Sequence, residues 1–190
     1  NNEKGLHIDK DHFMTISPDE GSMNRAIYLA NVLGVDMGMY YKRLDYSKYV
    51  NGRHPIAAYE FLGPKIEGKD MILIDDMISS GDTIIKIASL LKEKGAGRVY
   101  ICSTFGFFTD GLDKFDDAYK KGYFDKLLTT NLVYQSPELL EKPYYISCDM
   151  SKYIALIIDT LNHDTSVSHL LNPVDRIKRC VTNYMSQHEK

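Results

Sequence analysis

The strongest constraint on the fold is a strand-to-helix signature at residues 71–84, MILIDDMISSGDTI. Four apolar residues, typical of a strand buried on both faces, end in the adjacent carboxylates Asp75 and Asp76. A short polar turn then leads into a segment with helical spacing. We therefore expect both carboxylates just past the carboxyl end of a parallel strand, the edge at which open parallel sheets bind ligands.

The order strand, helix, strand recurs along most of the chain. We predict helices at residues 22–33, 83–94, 112–120 and after 149, and strands at 12–16, 35–41, 71–74, 98–103, 126–130 and 144–148. Crossover helices impose parallel pairing on the strands that they join. The sequence thus predicts an α/β fold with a doubly wound, mostly parallel sheet. At 190 residues we expect a single domain, with residues 173–190 as a C-terminal helix.

Charge and cysteine content exclude several partners and sites. The net charge of −3 gives no general attraction for nucleic acid or an anionic membrane. The three cysteines are widely spaced and form no C-x-x-C pattern, which favours a reducing cytoplasm and argues against a zinc site. No apolar run approaches the ~20 residues of a membrane span. Because the chain starts at Asn1 without an initiator Met, we expect it to be part of a longer protein.

The turn after the two carboxylates has the composition of an anion site. Backbone N–H groups, hydroxyls and the positive end of the following helix would face an anion there, from residues Ser79, Ser80, Gly81, Asp82 and Thr83. A phosphorylated sugar suits this arrangement, since its hydroxyls can donate to Asp75 and Asp76 while its phosphate occupies the turn. A plain loop-capping role for both Asp residues is the alternative.

A similar arrangement follows the first predicted strand, at residues 17–21, SPDEG. By the same rule it should face the same edge of the sheet. Asp19 or Glu20 could hold Mg²⁺, which usually takes one or two protein carboxylates plus substrate phosphates. A simple helix cap is the alternative interpretation.

Other enzyme classes lack support in the sequence. Residues 63–70, GPKIEGKD, nearly match the phosphate loop of nucleotide hydrolases, but Asp70 replaces the metal-binding hydroxyl and the segment leads into a strand. No H-E-x-x-H or G-x-S-x-G motif is present.

The stretch at residues 42–70 is too long for an ordinary connection. We predict a strand at residues 55–62 and a mobile loop at 44–54. The alternative is a solvated surface hairpin without a special role. Its basic residues are Lys42, Arg43, Lys48, Arg53 and His54.

Taken together, several segments resemble one family. Residues 71–84 are similar to the phosphoribosyl pyrophosphate (PRPP) loop of type I phosphoribosyltransferases and of ribose-phosphate diphosphokinases, the PRPP synthetases. The segments TISPDEGSMNRAIYLA, KEKGAGRVYICSTFG and DTSVSHLL resemble, in order and spacing, the carboxyl-terminal half of the diphosphokinases. The resemblance covers roughly residues 13–171.

This resemblance implies a sheet of the type I phosphoribosyltransferase kind and Mg²⁺-dependent transfer of diphosphate from ATP to ribose 5-phosphate, giving PRPP and AMP for nucleotide biosynthesis. It implies that Asp75 and Asp76 hold the ribose hydroxyls, that residues 79–83 hold the phosphate, and that Asp19 binds Mg²⁺. Lys42 and Arg43 match the start of the family's K-R-R catalytic loop. It also implies a homo-oligomer and a missing amino-terminal domain that carries much of the ATP site, so the isolated piece should have no turnover.

Three residues depart from the family pattern. Leu44 takes the third position of K-R-R, Asp82 replaces a glycine common in the phosphate turn, and Phe105 stands where His is frequent. Like charges ~4 Å apart repel by ~4 kcal/mol at an effective dielectric near 20, so the Asp82 side chain must point away from a bound phosphate. A regulatory homologue without catalysis and a nucleobase phosphoribosyltransferase remain alternatives.

Overall fold

The computed structural model describes residues 5–49, 52 and 54–188. Its strands are β1 Phe13–Ser17, β2 Asp36–Leu44, β3 Ile56–Leu62, β4 Asp70–Ile78, β5 Val99–Gly106, β6 Lys126–Thr130 and β7 Tyr145–Cys148. Its helices are α1 Met23–Leu33, α2 Asp82–Glu93, α3 Asp113–Lys120, α4 Pro137–Leu140, α5 Ser151–Asn162, α6 Ser168–Leu171 and α7 Val174–His188. Each strand and each of the three bounded helices predicted from periodicity is present, with bounds that shift by a few residues.

Within the described residues the strands form one sheet in the order β3-β2-β1-β4-β5-β6-β7. All neighbouring pairs are parallel except β2 with β3, which form an antiparallel hairpin. This arrangement confirms the predicted fold class. The chain order reverses between β1 and β4, which is the switch point where open α/β sheets bind ligands.

Alternate residues of the central strands enter two different cores, as the two-residue period of a strand requires. Met71 and Leu73 of β4 belong to the larger core, together with residues of α2 and α3. Ile72 packs against the smaller core on the other face, which includes Ala30 of α1. Helices therefore cover both faces of the sheet.

The predicted carboxyl ends of β4 and β2 were wrong, because both strands extend further along the chain. Strand β4 runs to Ile78, so Asp75 and Asp76 lie within it, because β5 continues to pair with it as far as Gly106. On the other side β1 pairs only as far as Leu73, which leaves the carboxyl part of β4 open along that edge. The apolar run marks the part of β4 that has paired strands on both sides. It does not extend over the following part, which has a paired strand only on the β5 side.

Strand β2 is also longer than predicted. It ends at Leu44 rather than Tyr41, so Lys42 and Arg43 are strand residues and not part of a loop. Antiparallel pairing with β3 stabilises this extension, since Lys42 lies opposite Tyr59 and Arg43 opposite Ala58. Of the segment predicted to be a mobile loop, residues 50, 51 and 53 lie outside the described residues.

None of the helices described between residues 5 and 188 is long and apolar enough to cross a membrane.

Candidate functional site

A cavity of about 250 Å³ opens at the carboxyl edge of the sheet, at the switch point between β1 and β4. It is lined by Asp19, Asp75, Asp76 and residues 77–84. The structure thus brings together the carboxylates and the turn that the sequence singles out, although Asp19 is more than 50 residues away along the chain. Glu20, the alternative metal ligand, does not line this cavity.

Asp75 is the most enclosed of the three carboxylates. Its Oδ1 accepts a hydrogen bond of 2.7 Å from Ser22 Oγ and one of 2.9 Å from the N–H of Asp76. Burial raises the pKa of Asp75 above its usual 3.8, the charge of Asp19 adds to that rise, and the hydrogen bond from Ser22 opposes it. One of its oxygens is therefore fixed by the protein.

Ser22 was not singled out by sequence reasoning. It occupies the N-cap position of α1, yet its hydroxyl forms no cap and donates to Asp75 instead. Its side chain is only 2% exposed. A serine before a helix normally indicates a cap, so the sequence offered no signal for this role.

Asp76 faces solvent and has a cationic neighbour. Its Oδ2 accepts a 3.3 Å hydrogen bond from Arg25 Nη2, and its Oδ1 accepts one of 2.9 Å from the N–H of Met77. Arg25 lies in the first turn of α1, so this turn and the N-cap residue before it supply partners for both carboxylates. Sequence reasoning missed Arg25 as well.

Asp19 combines a local turn with a place in the cavity. Its Oδ1 accepts from the N–H groups of Gly21 and Ser22, at 3.0 and 3.3 Å. Its Oδ2 lies 3.9 Å from Lys42 Nζ. One oxygen therefore closes a turn that ends at Ser22, the N-cap residue of α1, and the other faces Lys42; Asp19 does not form the helix cap that was the alternative interpretation.

Lys42 and Arg43 point to opposite faces of β2, because successive strand residues alternate. Lys42 is drawn toward Asp19 and the cavity. Arg43 Nε lies 2.7 Å from Glu60 Oε1 on β3, and Tyr41 Oη donates to the same carboxylate at 2.5 Å. The structure therefore places one of the two predicted cations beside Asp19, which lines the cavity, and pairs the other with Glu60.

The turn that joins β4 to α2 depends on Gly81. This residue has a φ of +85°, in the left-handed region, and a Cβ built on it would lie 2.2 Å from Phe115 Cζ. Phe115 is fully buried in the larger core. Glycine is required here both by the backbone angle and by the ring beneath it. The tight packing holds the turn against the sheet.

Asp82 begins α2, and its carboxylate is bound on the outer side of the turn. Lys114 Nζ donates to Oδ1 at 2.8 Å, and Ser80 Oγ donates to Oδ2 at 2.9 Å. The hydrogen bond from Lys114 and then that from Ser80 lower the pKa of Asp82 below 3.8. A negative charge therefore stays next to the turn near neutral pH.

Phe105 lies beside the site without entering its hydrogen-bond network. It pairs in register with Met77 of β4 and stacks on Phe107, with ring centroids 6.2 Å apart and planes inclined by 25°. Met77 and Phe107 are each about half exposed, at 50% and 51%. An apolar rim therefore borders the carboxylates on the β5 side.

The residues at the site suit a divalent cation that a substrate helps to hold. Among the described residues, no group of three or more His, Cys, Asp or Glu side chains is arranged to hold a metal ion. Mg²⁺ commonly needs only one or two protein carboxylates when substrate phosphates supply the rest. Asp19 Oδ2, whose contact with Lys42 is long at 3.9 Å, and the neighbouring Asp75 fit that mode.

Comparison with known proteins finds relatives named ribose-phosphate pyrophosphokinase. Ribose-phosphate pyrophosphokinase of Vibrio parahaemolyticus is 29% identical over 163 residues, 85% of this chain and 49% of that protein. The enzyme of the same name from Thermococcus kodakarensis is 31% identical over 121 residues, 63% of this chain and 39% of that protein. The chain spans about half the length of the curated relatives it matches, and the matched part is their carboxyl-terminal part.

The fold comparison agrees. The crystal structure of phosphoribosylpyrophosphate synthetase from Mycobacterium smegmatis superposes with a TM-score of 0.66 at 24% identity, over 80% of this chain and 45% of that one. The resemblance drawn from the sequence motifs is thereby confirmed. Residues 49–172 match the family described as the phosphoribosyl synthetase-associated domain, and the chain belongs to that family.

Proposed function

We propose that this protein takes part in the Mg²⁺-dependent transfer of diphosphate from ATP to the C1 hydroxyl of ribose 5-phosphate, which yields PRPP and AMP. The relatives named ribose-phosphate pyrophosphokinase support the reaction class. The observation that carries the proposal is the shared cavity, in which Asp75 and Asp76 adjoin the turn of residues 79–83.

In this proposal Asp75 and Asp76 accept hydrogen bonds from the ribose hydroxyls. Ser22 hydrogen-bonds Asp75 and Arg25 hydrogen-bonds Asp76, and these contacts fix the orientation of both carboxylates. Such preorganisation lowers the entropic cost of binding the sugar in one pose. The phosphate would occupy the turn, near the hydroxyls of Ser79 and Thr83 and the first N–H groups of α2.

The chemical step forms a bond from the C1 oxygen to the β-phosphorus of ATP, and the proton of that hydroxyl is released to solvent. The bond from that phosphorus to the oxygen bridging the α-phosphate breaks, and AMP leaves with that oxygen. No covalent enzyme intermediate is needed. Lys42 Nζ lies 3.9 Å from Asp19 Oδ2, and it would neutralise the charge that develops on the transferred phosphates.

Mg²⁺, when bound, would neutralise part of the charge on the substrate phosphates. Asp19 is the residue proposed to hold it. Binding there would replace the long contact of its Oδ2 with Lys42 and leave that lysine available to phosphate.

The ATP side of the reaction is proposed to be shared with another unit. The curated relatives are about twice as long as the matched stretch. We propose that an amino-terminal domain of the same kind supplies most of the ATP site and that the active form is a homo-oligomer. The 190-residue chain by itself should bind ribose 5-phosphate and show no turnover.

The test has two parts. Titration calorimetry of the 190-residue chain should detect binding of ribose 5-phosphate. The full-length protein should release AMP from ATP and ribose 5-phosphate with saturating Mg²⁺, and Lys42→Ala should lower kcat by about 10²-fold, the effect of losing one charge-stabilising group. Lys65→Ala, which removes an exposed lysine from the β3–β4 connection, is the matched control and should leave kcat unchanged.

One observation favours a second candidate, a regulatory homologue that binds phosphoribosyl ligands without catalysis. Arg43 is paired with Glu60 away from the cavity, and Leu44 follows where a third cation stands in the family motif. Binding of ribose 5-phosphate by the full-length protein without AMP release would favour this candidate and refute the enzymatic proposal.

A further inference from the structure

We propose that Lys114 is a positioning residue, which holds the Asp82 carboxylate on the outer side of the turn and so allows that turn to accept a phosphate. The inference rests on the proposed function, because it concerns the turn that would bind the phosphate of ribose 5-phosphate. It assigns a role to a lysine of α3 that is about 30 residues beyond the turn in sequence.

The difficulty that Lys114 resolves is the charge of Asp82. Asp82 is the first residue of α2 and lines the same cavity as the two sugar-binding carboxylates. A carboxylate at this position would repel a phosphate dianion in the turn unless its charge were displaced and compensated. The turn therefore needs a cation beside Asp82, because this residue places a negative charge among the groups that would donate hydrogen bonds to the phosphate.

The geometry shows where the compensation comes from. Lys114 Nζ lies 2.8 Å from Asp82 Oδ1 and 2.9 Å from Asp110 Oδ2, so one ammonium group binds two carboxylates. Asp82 and Lys114 also line a second groove, between α2 and α3, whose lining includes neither Asp75 nor Asp76. The pair thus draws the Asp82 carboxylate toward that groove.

Ser80 makes this anchoring more important once a ligand is bound. In the free protein Ser80 Oγ donates to Asp82 Oδ2 at 2.9 Å. A phosphate in the turn would compete for the same hydroxyl. When Ser80 turns to the phosphate, Asp82 keeps Lys114 as its partner.

Lys114 also connects the turn to the loop after β5. Thr109 Oγ1 lies 3.3 Å from Ser79 Oγ and donates to Asp110 Oδ1 at 3.3 Å, while the N–H of Thr109 donates to the carbonyl of Ser79 at 3.1 Å. Asp110 is linked through Thr109 to Ser79 at the start of the turn, and Asp82 lies at its end. Lys114 binds both carboxylates and so contacts groups at both ends of the turn. Loss of its charge should weaken phosphate binding while the buried core beneath the turn stays intact.

The experiment is a double-mutant cycle on the full 190-residue chain, read by calorimetric titration with ribose 5-phosphate. Lys114→Met should weaken binding about fivefold to tenfold, a moderate effect because the pair is partly exposed and screened by salt. Asp82→Asn combined with Lys114→Met should restore most of the affinity, since no carboxylate then needs compensation. The melting temperature without ligand should change little in any of these variants.

Lys120→Met is the matched control. It removes a lysine from the same helix, and its Nζ lies 3.8 Å from Asp117 rather than near the turn. Its affinity should stay within about twofold of that of the unmodified chain, since distant exposed charges are largely screened.

The outcomes separate the inference from the proposed function. If the unmodified chain binds ribose 5-phosphate and Lys114→Met binds it equally well, the positioning role is wrong and the proposed function stands. If Lys114→Met weakens binding but Asp82→Asn does not restore it, the role assigned to the pair is also wrong. If the unmodified chain shows no binding at all, the proposed function fails and the inference fails with it.

Discussion

Gly81→Ala tests the tightest constraint at the site. The added methyl group would meet Phe115 at 2.2 Å, and the residue would have to keep a φ of +85°. A non-glycine residue in the left-handed region costs ~1–2 kcal/mol, and overpacking a core adds ~1–3 kcal/mol. We expect a loss of about 2–5 kcal/mol in the free energy of unfolding, or roughly 5–15 °C in melting temperature for a chain of this size.

The assay is thermal and urea unfolding followed by circular dichroism, with Gly122→Ala as the matched control. Gly122 has a φ of +71° but no atom within 4 Å of an added Cβ. It should therefore lose only the ~1–2 kcal/mol of the backbone term. The difference between the two variants isolates the contact with Phe115.

A second variant of the same site removes the obstacle. Phe115→Leu combined with Gly81→Ala should cost less than the sum of the two single changes, because neighbouring residues that share a contact are not additive. If Gly81→Ala were no more destabilising than Gly122→Ala, the ring would not be constraining the turn, and the reasoning would be refuted.

Two further changes separate stability from binding. Burial raises the pKa of Asp75, so ionising this carboxyl costs more free energy in the folded state than in the unfolded state. The free energy of unfolding therefore falls as pH rises through the range between the usual 3.8 and the raised value. Asp75→Asn should therefore raise the melting temperature at pH 7, and raise it less below pH 4. The same change should weaken binding of ribose 5-phosphate. A lower melting temperature at pH 7 would contradict this reasoning. Asp70→Ala should cost about 2–4 kcal/mol in urea unfolding, because Asp70 accepts three hydrogen bonds from Arg98 at 2.6–3.0 Å and its side chain is only 14% exposed. Asp70 lies at the amino end of β4, away from the cavity, so an accompanying change in ligand affinity would contradict our assignment of the site.

The fold was predictable because its signals are local. The two-residue and 3.6-residue periods of apolar side chains mark strands and helices directly, and crossover helices then require parallel strands. Strand β6 was predicted with its observed bounds, Lys126–Thr130. The predicted bounds failed where burial is one-sided, at Asp75 in β4 and at Lys42 in β2. There the pairing of a neighbouring strand, and not hydrophobicity, extends the element.

The site was predictable in part. The sequence by itself determined which carboxylates and which turn approach one another, because all lie toward the carboxyl ends of strands in one parallel sheet and so meet at its carboxyl edge. It could not determine that Ser22 holds Asp75, that Arg43 pairs with Glu60, or that Lys114 holds Asp82. Each of those contacts joins residues 17 to 53 positions apart, and each depends on strand register and on the packing of helices across the sheet. Only the tertiary structure decides such distances, because no local period in the sequence encodes them.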